Sequence, residues 1–224
     1  AQNAIWRGGG LERRGGTALI NNPGDVNAVM AGVRFYRGST RTTVVYTGTQ
    51  LFSYNADHTI RTSLATGLTA LRQGFFTPYR TGVTDDAILL YFANGTDVRT
   101  YDGTTLSTGI PGSTNVPTTV AQFIAHQDRL FEYAADTLEI RWCPSLQPNG
   151  IWATAAQAIR IPSSDPTITG GVSHKLSTAE TGIISELFFT TASQTWAIIG
   201  TQGWGPGLVN AIGTDIRLHS VSGL

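Results

Sequence analysis

Val44-Val45-Tyr46-Thr47-Gly48-Thr49-Gln50-Leu51-Phe52-Ser53-Tyr54 is a β-run, a short polar turn and a second β-run that ends on an aromatic ring. Valine and the aromatic residues suit a pleated, half-buried surface, and glycine supplies a positive φ in the turn. The pattern returns as Ile88-Leu89-Leu90-Tyr91-Phe92-Ala93-Asn94-Gly95-Thr96-Asp97-Val98-Arg99-Thr100-Tyr101 and as Leu130-Phe131-Glu132-Tyr133-Ala134-Ala135-Asp136-Thr137-Leu138-Glu139-Ile140. A looser copy occupies residues 187–199. The first three copies start at 44, 88 and 130, steps of 44 and 42 residues, and the fourth starts 57 residues later. A period of roughly 40–50 residues is that of a four-stranded propeller blade. The expected fold is therefore all-β, a β-propeller of four-stranded antiparallel blades, with an insertion or irregularity before the last unit.

Around these copies the remaining strands fall into place. Residues 29–36 read as an opening strand and 59–64 as an alternating outer strand. Asn94-Gly95 and Asp102-Gly103 read as primed hairpin turns flanking the half-buried strand Val98-Arg99-Thr100-Tyr101. Residues 120–125 turn through His126-Gln127-Asp128-Arg129 into the third copy. Helix signals are thin; residues 153–158 are long enough for a single turn. Residues 1–24 are expected to form an irregular glycine- and arginine-rich N-terminal arm, and residues 25–224 the propeller domain. Five periods of about forty residues fill the space after the arm. The chain then closes by borrowing its N-terminal strand or belongs to a longer protein, and the second reading is preferred.

Composition narrows the chemistry. Charged residues are 13% and the formal net charge is zero, so no global field draws nucleic acid or an anionic membrane. Threonine, serine, asparagine and glycine carry the polarity, and Met30 and Lys175 stand alone in their types. The single cysteine, Cys143, excludes an internal disulfide framework and reads as a buried, inert thiol at a strand end. No apolar run approaches the ~18 residues of a membrane span, and no charged-then-apolar leader opens the sequence. A reducing compartment or assembly into an extracellular particle fits this usage.

Candidate catalytic groups are few. His58, His126, His174 and His219 are scattered without metal-ligand spacing and read as turn or surface residues; no cofactor is called. Asp85-Asp86 can split two pKa values for acid–base work, but a position just before a strand is where aspartates cap turns. The aspartate boxes of propeller glycosidases are absent, since Ser193-Gln194-Thr195-Trp196 lacks the aspartate and glycine. No nucleophile elbow, phosphate-binding loop or dinucleotide fingerprint occurs. Asn94-Gly95-Thr96 is formally a glycosylation acceptor, explained equally well as a turn.

Interface candidates are clearer. Trp6, Arg7, Arg13 and Arg14 lie among glycines, as in arginine–glycine segments that bind single strands, and are assigned instead to a partner-binding arm. Among the tryptophans, Trp142, Trp152 and Trp196 are expected between blades, while Trp204, flanked by glycines and proline, is a loop candidate together with Asn149.

The order of motifs carries a resemblance. Leu11-Glu12-Arg13-Arg14-Gly15-Gly16-Thr17, Leu51-Phe52-Ser53-Tyr54, Tyr91-Phe92-Ala93-Asn94-Gly95-Thr96-Asp97 and Tyr101-Asp102-Gly103-Thr104 come first. Ile124-Ala125-His126-Gln127-Asp128-Arg129-Leu130-Phe131, Ile140-Arg141-Trp142-Cys143-Pro144 and Gln194-Thr195-Trp196-Ala197-Ile198-Ile199-Gly200 follow. The chain resembles the β-propeller structural proteins of bacteriophage tails, including hub or nozzle components of short-tailed phages. That resemblance implies a virion protein of the tail, made in the host cytoplasm and without catalysis or cofactor. It implies a cyclic homo-oligomer that binds other tail or portal-proximal proteins, with DNA passing through the ring. The alternative from another class is a carbohydrate-binding or glycoside-cleaving propeller.

Overall fold

Each quoted repeat is the second-to-third strand hairpin of one antiparallel sheet. The computed structural model describes residues 4–7, 10–13, 27–70, 72–81, 87–115, 118–144, 146–149, 152, 158–178, 182–199 and 217–220. Blade 1 runs β3 (Ala31–Arg37), β4 (Thr40–Tyr46), β5 (Leu51–Tyr54) and β6 (Arg61–Ala65). Blade 2 runs β7 (Phe75–Arg80), β8 (Ile88–Ala93), β9 (Val98–Tyr101) and β10 (Leu106–Thr108). Blade 3 comprises β11 (Val120–His126), β12 (Arg129–Ala134), β13 (Glu139–Trp142) and β14 (Ala158–Arg160). Blade 4 comprises β15 (Gly170–Thr178), β16 (Gly182–Thr190), β17 (Thr195–Ile199) and β18 (Arg217–Ser220). The fold is an all-β propeller arrangement of four-stranded antiparallel meanders, as the period predicts.

The described residues hold four blades, where a uniform period of about forty leaves room for five. Length is consumed by the β13–β14 connection, residues 143–157, and by the nine-residue strands β15 and β16. The same two features account for the 57-residue step. In blade order, first strand touches first strand: β3 meets β7, β7 meets β11 and β11 meets β15.

Residues 4–13 depart from the irregular arm expected of them. β1 (Ala4–Arg7) and β2 (Gly10–Arg13) pair antiparallel as a separate two-stranded sheet, with Trp6 opposite Leu11 and Arg7 opposite Gly10. The glycines at 8–10 and 15–16 read as irregular chain and leave the strand signal of these residues weak.

Period-2 alternation decides which side of a blade each side chain serves. In β8, Leu90 and Phe92 face blade 1 and join Phe35, Val44, Tyr46 and Leu51 in one buried cluster. Tyr91 and Ala93 face the other way, into a cluster with Val120, Phe123, Leu130, Cys143 and Trp152 of blade 3. Phe131, Tyr133, Ile140 and Trp142 form the third cluster with Leu187, Phe189, Trp196 and Ile198 of blade 4. Middle strands are thus covered on both faces, so β9 is buried almost throughout rather than half-buried. Each fully buried side chain of this size contributes about 1.5–3 kcal/mol, which places the stabilising contacts between blades.

The turns are four-residue loops, not the two-residue primed turns expected. Tyr46 pairs with Leu51, Ala93 with Val98 and Tyr101 with Leu106 across them. Glycine takes the second loop position in each, at φ 88° for Gly48 and Gly95 and 94° for Gly103. The first-position side chain folds over the loop: Asn94 Oδ1 accepts from the N–H of Thr96 and Asp97, and Asp102 Oδ1 from those of Thr104 and Thr105. Asparagine and aspartate favour this self-capping geometry. No helix among the described residues is long and apolar enough to cross a membrane.

Candidate functional site

Polar residues of three adjacent strands line up across blade 2. Tyr91 on β8 pairs with Thr100 on β9, which pairs with Ser107 on β10. In a sheet, directly opposed residues point to the same face, so the three hydroxyls form one row on the side of blade 2 that meets blade 3. Thr77 on β7 pairs with Tyr91 and extends the row, its Oγ1 donating to the Phe123 carbonyl of blade 3 at 2.6 Å.

The outer part of this row lines a cleft of about 330 Å³. Its walls are Thr81, Leu89, Tyr91, Thr100, Asp102, Thr105, Ser107, Ile110 and Pro111 of blade 2 with Pro148 and Asn149 of the β13–β14 connection. That connection is anchored from beneath, since the buried Trp152 donates its indole N–H to the Pro148 carbonyl at 2.6 Å. Asn149, proposed from sequence, is exposed at the rim. The rim carboxylate, Asp102, is held below its ordinary range: burial works to raise its pKa, and the backbone N–H groups of Thr105 and Thr104 with the Arg37 charge outweigh burial. Arg37 of blade 1 also donates to the Asp102 carbonyl, tying blade 1 to this turn.

Tyr91 is fully buried and its hydroxyl has no hydrogen-bond partner among the described residues. Its pKa is raised, first by burial and then by the neighbouring Cys143 sulfur, so it stays a neutral donor. Thr100 Oγ1 donates to the Gly109 carbonyl and Thr81 Oγ1 to the Ala87 carbonyl, both at 2.7 Å. Both hydroxyl protons are thereby committed to backbone carbonyls. A second cleft of about 390 Å³ at the blade 1–blade 2 rim is lined by Arg37, Thr40, Asp102, Gly103 and Thr104.

The remaining candidates are dispersed. Trp6, Arg7 and Arg13 belong to the N-terminal hairpin, while Arg14, Trp204 and the pair Asp85-Asp86 lie outside the described residues. Trp142, Trp152 and Trp196 fill inter-blade space as expected. Asn94 is 3% exposed, and its amide nitrogen donates to Tyr46 Oη and Asp97 Oδ2, which makes it a structural turn residue and no accessible glycan acceptor.

His126 corrects the reading of the histidines as turn or surface residues: it is buried, with Nδ1 2.8 Å from Ser173 Oγ of blade 4 and its ring against Phe131. His58 does sit in a turn, at φ 63°, with Nε2 2.8 Å from Thr43 Oγ1. Among the described residues no three of histidine, cysteine, aspartate and glutamate converge as a metal site.

Glu132 is the charged group that sequence reading passed over. It is fully buried on β12, opposite Arg141 of β13, with Arg141 Nε 2.6 Å from its Oε1 and 3.3 Å from Glu139 Oε1. A signal was present: in a strand covered on both faces, a carboxylate between Phe131 and Tyr133 has no outward side to take.

No protein-family model matches the chain, and neither does any curated protein. Among solved structures it is similar to the extracellular domain of a hybrid two-component system from B. thetaiotaomicron, with TM-score 0.49, 16% identity, and coverage of 80% of this chain and 21% of that one. It is similar to BBS1N in complex with ARL6DN, with TM-score 0.42, 8% identity, and coverage of 87% and 71%. A chain of the mitotic checkpoint complex gives TM-score 0.37 at 9% identity over 85% and 82%. The chain thus spans about a fifth of the first of these, and no residue role or activity transfers from any of them.

Proposed function

We propose that this chain is a non-enzymatic structural component of a bacteriophage tail, a hub, nozzle or tail adaptor, that assembles as a ring and binds neighbouring tail proteins. The supporting observation is how the repeats are used. Their aromatic and aliphatic residues are committed to three inter-blade clusters. Interlocking of that kind makes a stiff body, which suits a building piece under load. The ordered motifs of the tail-propeller resemblance add to this reading. Low charge with abundant threonine and serine fits the wet, neutral contacts by which subunits of a cyclic assembly meet.

Native mass spectrometry and electron microscopy of the purified chain test it. A closed ring of identical copies is the expected outcome. A monomer that cleaves glycosides would overturn the proposal.

A further inference from the structure

We infer that Asn149 is a site of spontaneous covalent modification: the backbone nitrogen of Gly150 closes on its side chain, ammonia leaves, and aspartate or isoaspartate remains at the rim of the cleft between blade 2 and the β13–β14 connection.

The sequence offers this reaction twice. Asparagine is followed by glycine at Asn94-Gly95 and at Asn149-Gly150 and nowhere else. Glycine matters because a residue without a Cβ lets the following backbone nitrogen swing onto the asparagine side chain. The Gly150 N–H gives its proton to solvent and its nitrogen bonds to Asn149 Cγ. The Cγ–Nδ2 bond breaks, and the amide leaves as ammonia with a proton taken back from water. Water then opens the cyclic imide. Cleavage at the side-chain carbonyl leaves aspartate, and cleavage at the main-chain carbonyl leaves isoaspartate, with the chain rerouted through the former side chain. Nothing is oxidised or reduced, and water is the co-reactant.

Packing separates the two sites. Asn94 is 3% exposed; its Oδ1 accepts from the N–H of Thr96 and Asp97, and its Nδ2 donates to Tyr46 Oη and Asp97 Oδ2. The attacking atom is engaged as well, since the Gly95 N–H donates to the Val120 carbonyl of blade 3 at 2.8 Å. Ring closure there needs these bonds broken around a side chain sealed from water. Asn149 is the opposite case: it is exposed and makes no hydrogen bond to another described residue. Its connection is pinned nearby, the Trp152 indole N–H donating to the Pro148 carbonyl and the Trp152 backbone N–H to the Thr114 carbonyl. Conversion puts a new carboxylate in the cleft that Asp102 also lines, so this rim gains negative charge as the molecule ages.

The test incubates the intact folded chain in mildly alkaline buffer at body temperature and maps its peptides by mass spectrometry. Conversion adds about one mass unit, NH2 giving way to OH, and methyl labelling by an isoaspartate methyltransferase is the second readout. Asn149 is expected to convert at least about tenfold faster than Asn94, a barrier difference of about 1.4 kcal/mol. In guanidinium, where packing is lost, the two are expected to convert alike. Gly150→Ala should slow the reaction several-fold, and Asn149→Gln, which needs a larger ring, should abolish it and the methyl labelling at this position. The inference is overturned if Asn149 stays intact in the folded chain while the unfolded chain converts, or if Asn94 converts as fast as Asn149 in the folded protein.

Discussion

Arg141 Nε lies 2.6 Å from Glu132 Oε1 across the β12–β13 pair, yet the carboxyl's pKa is raised rather than lowered. Burial raises the Glu132 pKa to about 8; the Arg141 charge opposes that rise without cancelling it, and Glu139 adds to it. A carboxylate taken from water loses more hydration than one partly buried partner returns. Blades 2 and 4 place Phe92 and Phe189 on the corresponding face of their second strands, so blade 3 holds a buried carboxyl where its neighbours hold a ring.

A sign for pH dependence follows. The folded-state pKa is above the unfolded 4.5, so the native state binds the extra proton between about pH 4.5 and 8. Stability from this group is full below 4.5 and is lost as pH rises toward 8, with a slope of at most ~1.4 kcal/mol per pH unit. Denaturant titrations across that window should show the decline, and Glu132→Gln should flatten it. A stability that climbs with pH there, unchanged by the substitution, would contradict the assignment. Asp97, Asp102 and Asp165 have lowered pKa values and act with the opposite sign, their contribution fading only as pH falls below 3.8.

Two glycines are needed for close approach. A Cβ on Gly74 would stand 2.6 Å from Tyr46 Cδ1 and 2.7 Å from Phe92 Cε2, whose rings already meet edge to face. A Cβ on Gly171 would stand 2.5 Å from Ile124 Cδ1. Either alanine variant should cost about 1–3 kcal/mol, the usual penalty of overpacking a core. Urea midpoints check this, with Gly67→Ala as the contrast: its Cβ would meet nothing within 4 Å, although its φ of 71° still makes alanine unfavourable.

Asn94 joins blades 1 and 2 through one side chain. Its oxygen caps its own loop and its nitrogen donates to Tyr46 Oη at 3.2 Å, while Asp97 Oδ2 accepts the Thr69 N–H at 2.8 Å. Asn94→Ala leaves buried donors and an acceptor unpaired and should cost about 1–3 kcal/mol. Thermal melts read the loss, and Asn94→Asp should recover part of it by restoring the loop cap.

Cys143 should be silent toward thiol reagents in the native protein. It is fully buried and its pKa is pushed up to about 11, chiefly by burial, and the thiolate is the reactive form. Ellman's reagent at pH 8 should react with one equivalent in guanidinium and with almost none beforehand. Rapid native labelling would show that the blade 2–blade 3 interface opens readily.

The residues most legible in the chain were those whose signal is local. Period-2 runs separated by polar turns specify strands, and their spacing specifies blades, because backbone pairing and turn geometry are settled over a few neighbouring residues. Val44 to Tyr54 was enough for that, as was the buried, strand-end placement of Cys143. The pairing of Trp6 with Leu11 is not legible locally, because glycines on both sides read as irregular chain.

What only the tertiary structure decided was the direction each buried group faces and what it meets there. Tyr91, Thr100 and Ser107 sit on three successive strands and become one row through register, on a face that blade 3 then covers. Glu132 stands out in the β-run between Phe131 and Tyr133, but what it meets there, Arg141 and a covering blade, is set by packing. Strand identity follows from short-range conformational preference, whereas a site and a shifted pKa follow from which blade is pressed against which, a property of the packed whole.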